Sequence, residues 1–155
     1  MKKHSSKEIY DKVLIVQQQW ANGIVKIGKA YLDKINYVKI TEEFLDQLYN
    51  FENNKVLFKP TKAKHKQFRK NKTEFISYFI GYNKISYEDK GFALEPWRNI
   101  YFENFDFMIF ENILISMGNY FFTNYQNKKT KVEFSFGYKF TENNELKIIF
   151  HHSSI

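Results

Sequence analysis

The last two long segments of the chain repeat apolar residues with a period of two. The first runs from Val132 to Lys139, and the second from Leu146 to His151. This period, carried by β-branched and aromatic residues, is typical of β-strands. Turn-forming residues at 142–144 separate the two segments, so the sequence predicts a terminal β-hairpin. A last strand of this kind frays unless a sheet holds it.

Further strands are predicted upstream of this hairpin. Residues 97–109 and 112–125 are long strand candidates joined tightly near residue 110, and residues 56–58 form a brief apolar run stopped by Pro60. We also predict a strand from Thr73 to Tyr82, with Phe75, Ser77 and Phe79 on one face and Ile76, Tyr78 and Ile80 on the other.

Two helices are predicted before the strands. Ser5 and Glu8 fit a capping box, and the following apolar residues recur every three or four positions, which predicts an amphipathic helix over residues 6–33. Its glycines, Gly23 and Gly28, either weaken it or allow close packing against a neighbour. Thr41, followed by two acids, predicts the start of a short second helix ending near Asn50.

This order of elements predicts the fold class α+β. Helices would pack on one face of a curved, mostly antiparallel sheet of five or six strands. The 155 residues show neither an internal repeat nor a linker, so we expect a single domain over 1–155. Seventeen Phe and 11 Tyr predict a core or cavity built from aromatic rings.

Composition narrows the function classes. The chain has no Cys, which excludes disulfides, thiolate metal sites and Cys nucleophiles and is compatible with a reducing compartment. No apolar run has the length of a membrane span, and the charged N-terminus lacks the apolar run of a signal peptide. We therefore expect a cytoplasmic protein without membrane contact.

The chain carries 24 basic and 17 acidic residues, a net charge of +7. A positive field attracts anions or nucleic acid. The basic residues concentrate between Lys62 and Lys72, but Phe68 is the one aromatic among them, which is few for a single-strand nucleic-acid platform. We favour a solvated basic loop and do not expect nucleic-acid binding.

The terminal histidines are the first candidates for chemistry. Neighbouring strand residues point to opposite faces, so His151 and His152 are poorly placed to bind one metal ion. His151 and Ser153 share a face, where an imidazole and a hydroxyl can act together in proton transfer and hydrogen bonding. The alternative is a pair of partly exposed terminal histidines without a role.

Three other positions stand out. Thr61 follows Pro60, which fixes the local backbone, so its hydroxyl is either rigidly placed or that of an ordinary turn residue. Tyr78 is a phenol among apolar residues, and it either serves a site or lies in the core. Gly118 within a strand indicates a bulge or the close approach of another backbone.

Several short motifs in this order resemble the iota-class carbonic anhydrase family, and in particular its metal-free branch. The resemblance runs from about Trp20 to Ser154 and rests on Trp20-Ala21, Phe58-Lys-Pro-Thr61, Phe68-Arg69, Ser77-Tyr-Phe79, Lys90-Gly-Phe-Ala93, Met117-Gly-Asn-Tyr-Phe-Phe122, Phe136-Gly-Tyr138 and His151-His-Ser-Ser154. Metal-dependent members tend to carry a third histidine before the pair. This chain has Phe150 there, which favours the metal-free branch.

The resemblance implies a cone-shaped nuclear transport factor 2-like fold and a homodimer paired through the sheet. It implies carbon dioxide and bicarbonate as substrates, no cofactor and no metal. It assigns Thr61, Tyr78 and Ser153 to substrate binding, and these three together with His151 to catalysis. The alternative is a non-catalytic small-molecule-binding or oligomerisation module of the same fold.

Overall fold

The computed structural model describes residues 4–52 and 55–155. The elements in chain order are α1 (Ser6–Leu32), α2 (Tyr37–Leu48), β1 (Leu57–Lys59), α3 (Lys72–Ile80), a 3-10 turn (Phe92–Leu94), β2 (Trp97–Phe110), β3 (Ile113–Asn124), β4 (Lys129–Phe140) and β5 (Leu146–Ser154). Among these residues the five strands form one sheet in the order β1-β5-β4-β3-β2. The helices pack on its inner face, which confirms the α+β prediction.

The first helix begins as the sequence predicts. The Ser5 side chain accepts a hydrogen bond from the Glu8 backbone N–H at 3.2 Å, and the helix ends one residue before the predicted boundary. Its glycines allow close packing, since a Cβ on Gly23 would lie 2.3 Å from the Phe44 ring and a Cβ on Gly28 would lie 2.7 Å from the Ala93 carbonyl oxygen.

The predicted start of the second helix at Thr41 was wrong. The helix begins at Tyr37, where the Asn36 side chain accepts from the Lys39 backbone N–H. Thr41 lies inside the helix, and its hydroxyl donates to the Tyr37 carbonyl at 2.8 Å. Asparagine caps a helix at least as well as threonine does. The two acidic residues after Thr41 favoured the wrong start over the true cap at Asn36.

The predicted strand from Thr73 to Tyr82 was also wrong, because this segment forms α3. The Asn71 side chain caps the helix by accepting from Glu74 N–H, and Gly81 ends it with a φ of 62°. Every residue from Glu74 to Ile80 is buried. A helix buried on all sides lacks the apolar stripe that distinguishes a helix from a buried strand in sequence.

The strands β2, β3 and β4 lie where the sequence predicts them. The predicted close approach of another backbone at Gly118 is confirmed. A Cβ at Gly118 would lie 2.2 Å from the Glu103 carbonyl oxygen, opposite the irregularity between Asn104 and Asp106 on β2. The bulge therefore requires glycine on the facing strand.

The last strand lies inside the sheet. β5 pairs antiparallel with β4 and, on its other side, parallel with β1, which makes the sheet mixed. β5 pairs with β1 over residues 150–152 and with β4 up to Ser154, and this pairing holds the strand in place. Trp20 of α1 lies over this region with 1% of its surface exposed, and it makes ring contacts with residues of α2, α3 and four strands.

Candidate functional site

His151 occupies the centre of the inner sheet face. Its ring stacks between Phe58 of β1 and Phe136 of β4, with ring centroids 4.6 and 4.0 Å away. His151 is 1% exposed, whereas His152 lies on the opposite, exposed face. The alternation of the strand therefore selects His151 as the inward-facing histidine.

Both ring nitrogens of His151 have hydrogen-bond partners. Nδ1 lies 2.9 Å from the Tyr49 hydroxyl. Nε2 lies 3.0 Å from Ser153 Oγ and 3.1 Å from the Tyr120 hydroxyl. Trp20 Nε1 donates to the Tyr49 hydroxyl at 2.9 Å, so the contacts extend from the helix through the imidazole to the serine.

The hydroxyl groups form a continuous cluster beyond His151. Tyr120 is in direct hydrogen-bonding contact with Ser153. The Thr61 side chain lies close enough to the hydroxyls of Tyr120 and Tyr78 to act on the pKa of both, and the Tyr78 hydroxyl accepts from the Lys62 backbone N–H at 3.2 Å. The structure thus brings the four residues selected from the sequence into one connected group, with Tyr120 between them.

The parallel pairing of β1 with β5 brings the segment that carries Thr61 to the same end of the sheet as Ser153. Phe58 is in register with His151, and Lys59 with His152. β1 ends before Pro60, and Thr61 lies in the turn that directly follows the strand. Thr61 is half-buried, whereas Tyr78, Tyr120 and Ser153 are buried.

The side chain of Tyr78 connects the cluster with a cavity. The cavity has a volume of about 290 Å³ and is bordered by Tyr78, Lys62, Phe92 and residues of the 88–91 and 94–95 segments. Tyr78 also stacks on Phe92 with ring centroids 5.6 Å apart. Tyr78 thus borders the cavity and also belongs to the hydroxyl cluster.

Burial controls the protonation of the cluster. It lowers the pKa of His151 well below the ordinary value, and the nearby His152 adds to this effect. Burial raises the pKa of the Tyr49, Tyr78 and Tyr120 hydroxyls. At neutral pH the cluster therefore consists of a neutral imidazole and protonated hydroxyls. Any proton transfer by His151, the role that the sequence suggested, would therefore begin from a neutral imidazole.

The loop that carries Thr61 is held by acidic residues. Arg69 is 1% exposed and pairs with Asp89, while Lys66 pairs with Glu74. The Glu88 carboxylate accepts hydrogen bonds from three consecutive backbone N–H groups at 64–66. Part of the basic segment thus stabilises the loop, which leaves fewer free cations for a nucleic acid.

Within residues 4–52 and 55–155 no group of three or more His, Asp or Glu side chains is arranged to hold a metal ion. The donors around His151 are hydroxyls and an indole N–H, which are poor ligands for zinc. In the same part of the chain no helix has the length and apolar character needed to cross a membrane.

Sequence reasoning missed Tyr120, Tyr49 and Trp20 as members of this cluster. Strand alternation places Tyr120 on the same face of β3 as Ser116 and Phe122, and all three are buried. The inward orientation of Tyr120 could therefore have been predicted from the sequence. Tyr49 follows the last turn of α2, and its approach to His151 depends on how that helix packs. No local pattern indicates such a contact.

The chain has a nuclear transport factor 2-like fold, and this fold holds a cluster of hydroxyls around a neutral histidine. A nuclear transport factor 2-like protein from Salmonella enterica superposes with a TM-score of 0.60 over 97% of this chain and 92% of its own, at 9% identity. At this identity the likeness supports the fold alone.

The family model for metal-independent carbonic anhydrase matches residues 11–155, and the chain belongs to this family. A metal-independent carbonic anhydrase from Nostoc sp. (strain PCC 7120) is 35% identical over 146 residues, which cover 92% of this chain and 71% of the relative. The crystal structure of an iota-carbonic anhydrase from a cyanobacterium, complexed with bicarbonate, has a TM-score of 0.89 at 34% identity, covering 94% of this chain and 90% of the other. The predicted family and fold are confirmed.

Proposed function

We propose that this chain catalyses the reversible hydration of carbon dioxide to bicarbonate without a metal ion. The observation that carries the proposal is the convergence of buried Tyr78, His151 and Ser153 with half-buried Thr61 in one cluster, in a chain of this family. The bicarbonate complex of the cyanobacterial relative supports bicarbonate as the ligand of this cluster.

The chemistry of the cluster suits an anion with several oxygens. Protonated hydroxyls in a water-poor site are hydrogen-bond donors aimed at a fixed point, and such donors stabilise the charge that develops on the bicarbonate oxygens. Thr61, Tyr78 and Ser153 are the proposed substrate-binding residues. The aromatic rings around them admit carbon dioxide, which is small and apolar.

In the proposed reaction the oxygen of a water molecule bonds to the carbon of carbon dioxide. One carbon–oxygen π bond opens as this bond forms, and the resulting charge spreads over the carbonate oxygens facing the hydroxyls. The water loses one proton to solvent. Holding water and carbon dioxide together lowers the entropic barrier, but without zinc to acidify the water we expect a modest rate.

Stopped-flow hydration of carbon dioxide by protein treated with a chelator tests the proposal. We expect activity above the buffer rate, at least a tenfold loss in Thr61→Ala and Ser153→Ala, and near-normal activity in Ser116→Ala. Ser116 is a matched control because it is a buried serine on the same face that hydrogen-bonds with Tyr138 instead. Activity that appears only with added zinc contradicts the proposal. Bicarbonate binding without turnover supports the non-catalytic alternative.

We further propose a homodimer paired through the outer face of the sheet. Tyr101, Ile115 and Met117 are apolar side chains on this face, each between 39% and 49% exposed. Light scattering after size-exclusion chromatography tests the dimer, and Met117→Lys should shift it towards monomer. A monomeric wild-type chain contradicts this proposal.

Two further proposals concern the domain organisation and the cellular location of the protein. We propose that residues 1–155 act as one domain, which a single cooperative transition in thermal unfolding would support. We propose a cytoplasmic location because the chain lacks Cys. Cell fractionation checks the location.

A further inference from the structure

We infer that Tyr49 is a positioning residue that fixes His151 as the tautomer with its proton on Nε2. The imidazole then donates a hydrogen bond into the site and does not accept a proton there. The catalytic meaning of this inference rests on the proposed function, whereas the tautomer is a property of the free protein.

The direction of the hydrogen bonds begins at Trp20. The indole N–H is a donor only and has no capacity to accept. It lies 2.9 Å from the Tyr49 oxygen, which must therefore be the acceptor. The Tyr49 oxygen thus uses one of its lone pairs for the indole.

The hydrogen of Tyr49 has one destination in the described part of the chain. Besides Trp20, the hydrogen-bond partner of Tyr49 is His151 Nδ1 at 2.9 Å. If Nδ1 carried a proton, Tyr49 would accept two hydrogen bonds and leave its own hydrogen without a partner, although the side chain is only 1% exposed. Buried hydroxyls almost always use their hydrogen, so Tyr49 donates and Nδ1 is unprotonated.

The remaining ring proton of His151 must then lie on Nε2. Within residues 4–52 and 55–155, no carboxylate is among the hydrogen-bond or ring-contact partners of the imidazole. The groups around it are the hydroxyls of Tyr49, Tyr120 and Ser153, the indole of Trp20, and aromatic rings. A neutral imidazole has one N–H. This N–H points at Ser153 and Tyr120, 3.0 and 3.1 Å away.

The hydrogen bonds from Trp20 through Tyr49 and His151 therefore all donate in one direction, away from the helix and towards Ser153 and Tyr120. Ser153 and Tyr120 accept from Nε2, share one hydrogen bond between themselves, and direct the remaining hydrogen to Thr61 or to a bound oxygen. Such an arrangement presents donors to a ligand that accepts, as the oxygens of bicarbonate do. It also ends at an indole that does not release its proton, so the proton of hydration does not leave through His151.

The test is the tautomer of His151, measured by 15N NMR of histidine-labelled protein at pH 7. We expect a protonated Nε2 and an unprotonated Nδ1, since the two tautomers give opposite patterns of 15N shifts. A protonated Nδ1 overturns the inference. This readout does not require turnover, so a protein without hydratase activity can still confirm the tautomer, and an active protein can still refute it.

The matched variants are Tyr49→Phe and Tyr138→Phe. Each loses one buried tyrosine hydroxyl, but the Tyr138 hydroxyl hydrogen-bonds with Ser116 and Gln17 instead of His151. We expect Tyr49→Phe to give a mixture of His151 tautomers and about a tenfold lower kcat/KM, and Tyr138→Phe to change neither more than about twofold. A His151 that remains wholly Nε2-protonated in Tyr49→Phe refutes the positioning role.

Discussion

The guanidinium of Arg69 forms two parallel hydrogen bonds with the carboxylate of Asp89, at 2.8 and 2.9 Å, and both side chains are excluded from solvent. The pair joins the loop that follows Thr61 to the segment that borders the cavity. Ser77 of α3 also donates to Asp89, so one carboxylate connects the loop with the helix that carries Tyr78. The ion pair thus holds two of the proposed substrate-binding residues in their relative positions.

Arg69→Met should lower the free energy of unfolding by about 3–5 kcal/mol, because it leaves the Asp89 carboxylate buried without a cation. The double variant Arg69→Met/Asp89→Leu should lose less free energy of unfolding than Arg69→Met alone, because it leaves no unpaired buried charge. Urea denaturation measures both. Lys72→Met is the control, since its pair with Asp46 is solvent-exposed and should contribute about 0–1 kcal/mol. Equal losses of unfolding free energy in Arg69→Met and Lys72→Met would contradict a stabilising role of the buried ion pair.

Gly118→Ala should lower the free energy of unfolding by at least about 1–3 kcal/mol, because the new Cβ would collide with the Glu103 carbonyl of the neighbouring backbone. Thermal denaturation measures the effect. Ser135→Ala, on the facing strand β4, serves as the control and should change stability by no more than about 0.5 kcal/mol. An unaltered Gly118→Ala variant would show that the bulge relaxes freely.

Glu88 should contribute stability that is lost in acid. Desolvation alone would raise the pKa of its carboxyl, but hydrogen bonds from the backbone N–H groups of Lys64, Lys66 and His65 overcome it and lower the pKa to about 2. Because the folded pKa lies below the unfolded value, the stabilisation is complete above about pH 4.5 and disappears as pH falls towards 2. The difference in Tm between wild type and Glu88→Gln should therefore shrink over this range.

The control for this measurement is Glu142→Gln, which alters an exposed carboxylate in the turn between β4 and β5. Its Tm should follow that of the wild type at every pH. A difference between wild type and Glu88→Gln that stays the same at pH 7 and pH 2 would refute the assignment.

The rate of carbon dioxide hydration should not follow the ordinary titration of a histidine. Burial lowers the pKa of His151 well below the usual value of 6.5, so the imidazole does not take up its proton near that pH. We expect log kcat/KM to show no inflection between pH 6 and 7 from this residue. Stopped-flow measurements in a series of buffers check the profile. An inflection near pH 6.5 that persists in His152→Asn would count against a buried, neutral His151.

Much of the fold was predictable because most elements are buried on one side only. The period of α1 and the alternation of β4 and β5 record which face meets the core. The same alternation placed His151 and His152 on opposite faces, whereas the burial of His151 became evident only from the fold. α3 was predicted as a strand because its residues are buried on every side, so its sequence carries no period of either kind.

The site was only partly predictable, for a different reason. Thr61, Tyr78, His151 and Ser153 lie in motifs that resemble a known family, and the structure brings them together. The contact of Tyr49 with His151 joins residues 102 positions apart, and it exists only after α2 has packed on the sheet. Tertiary packing of this kind leaves no trace in local sequence spacing.

The place of β5 between β1 and β4 also has a consequence for biosynthesis. β1 pairs with no strand but β5 among the described residues, so the segment before Thr61 has no partner strand until residues 150–152 have been translated. On the ribosome, α1, α2 and the β2–β3 hairpin leave the exit tunnel before His151 and Ser153 do. The hydroxyl–imidazole cluster therefore stays incomplete until β5, the last of the five described strands, has left the tunnel.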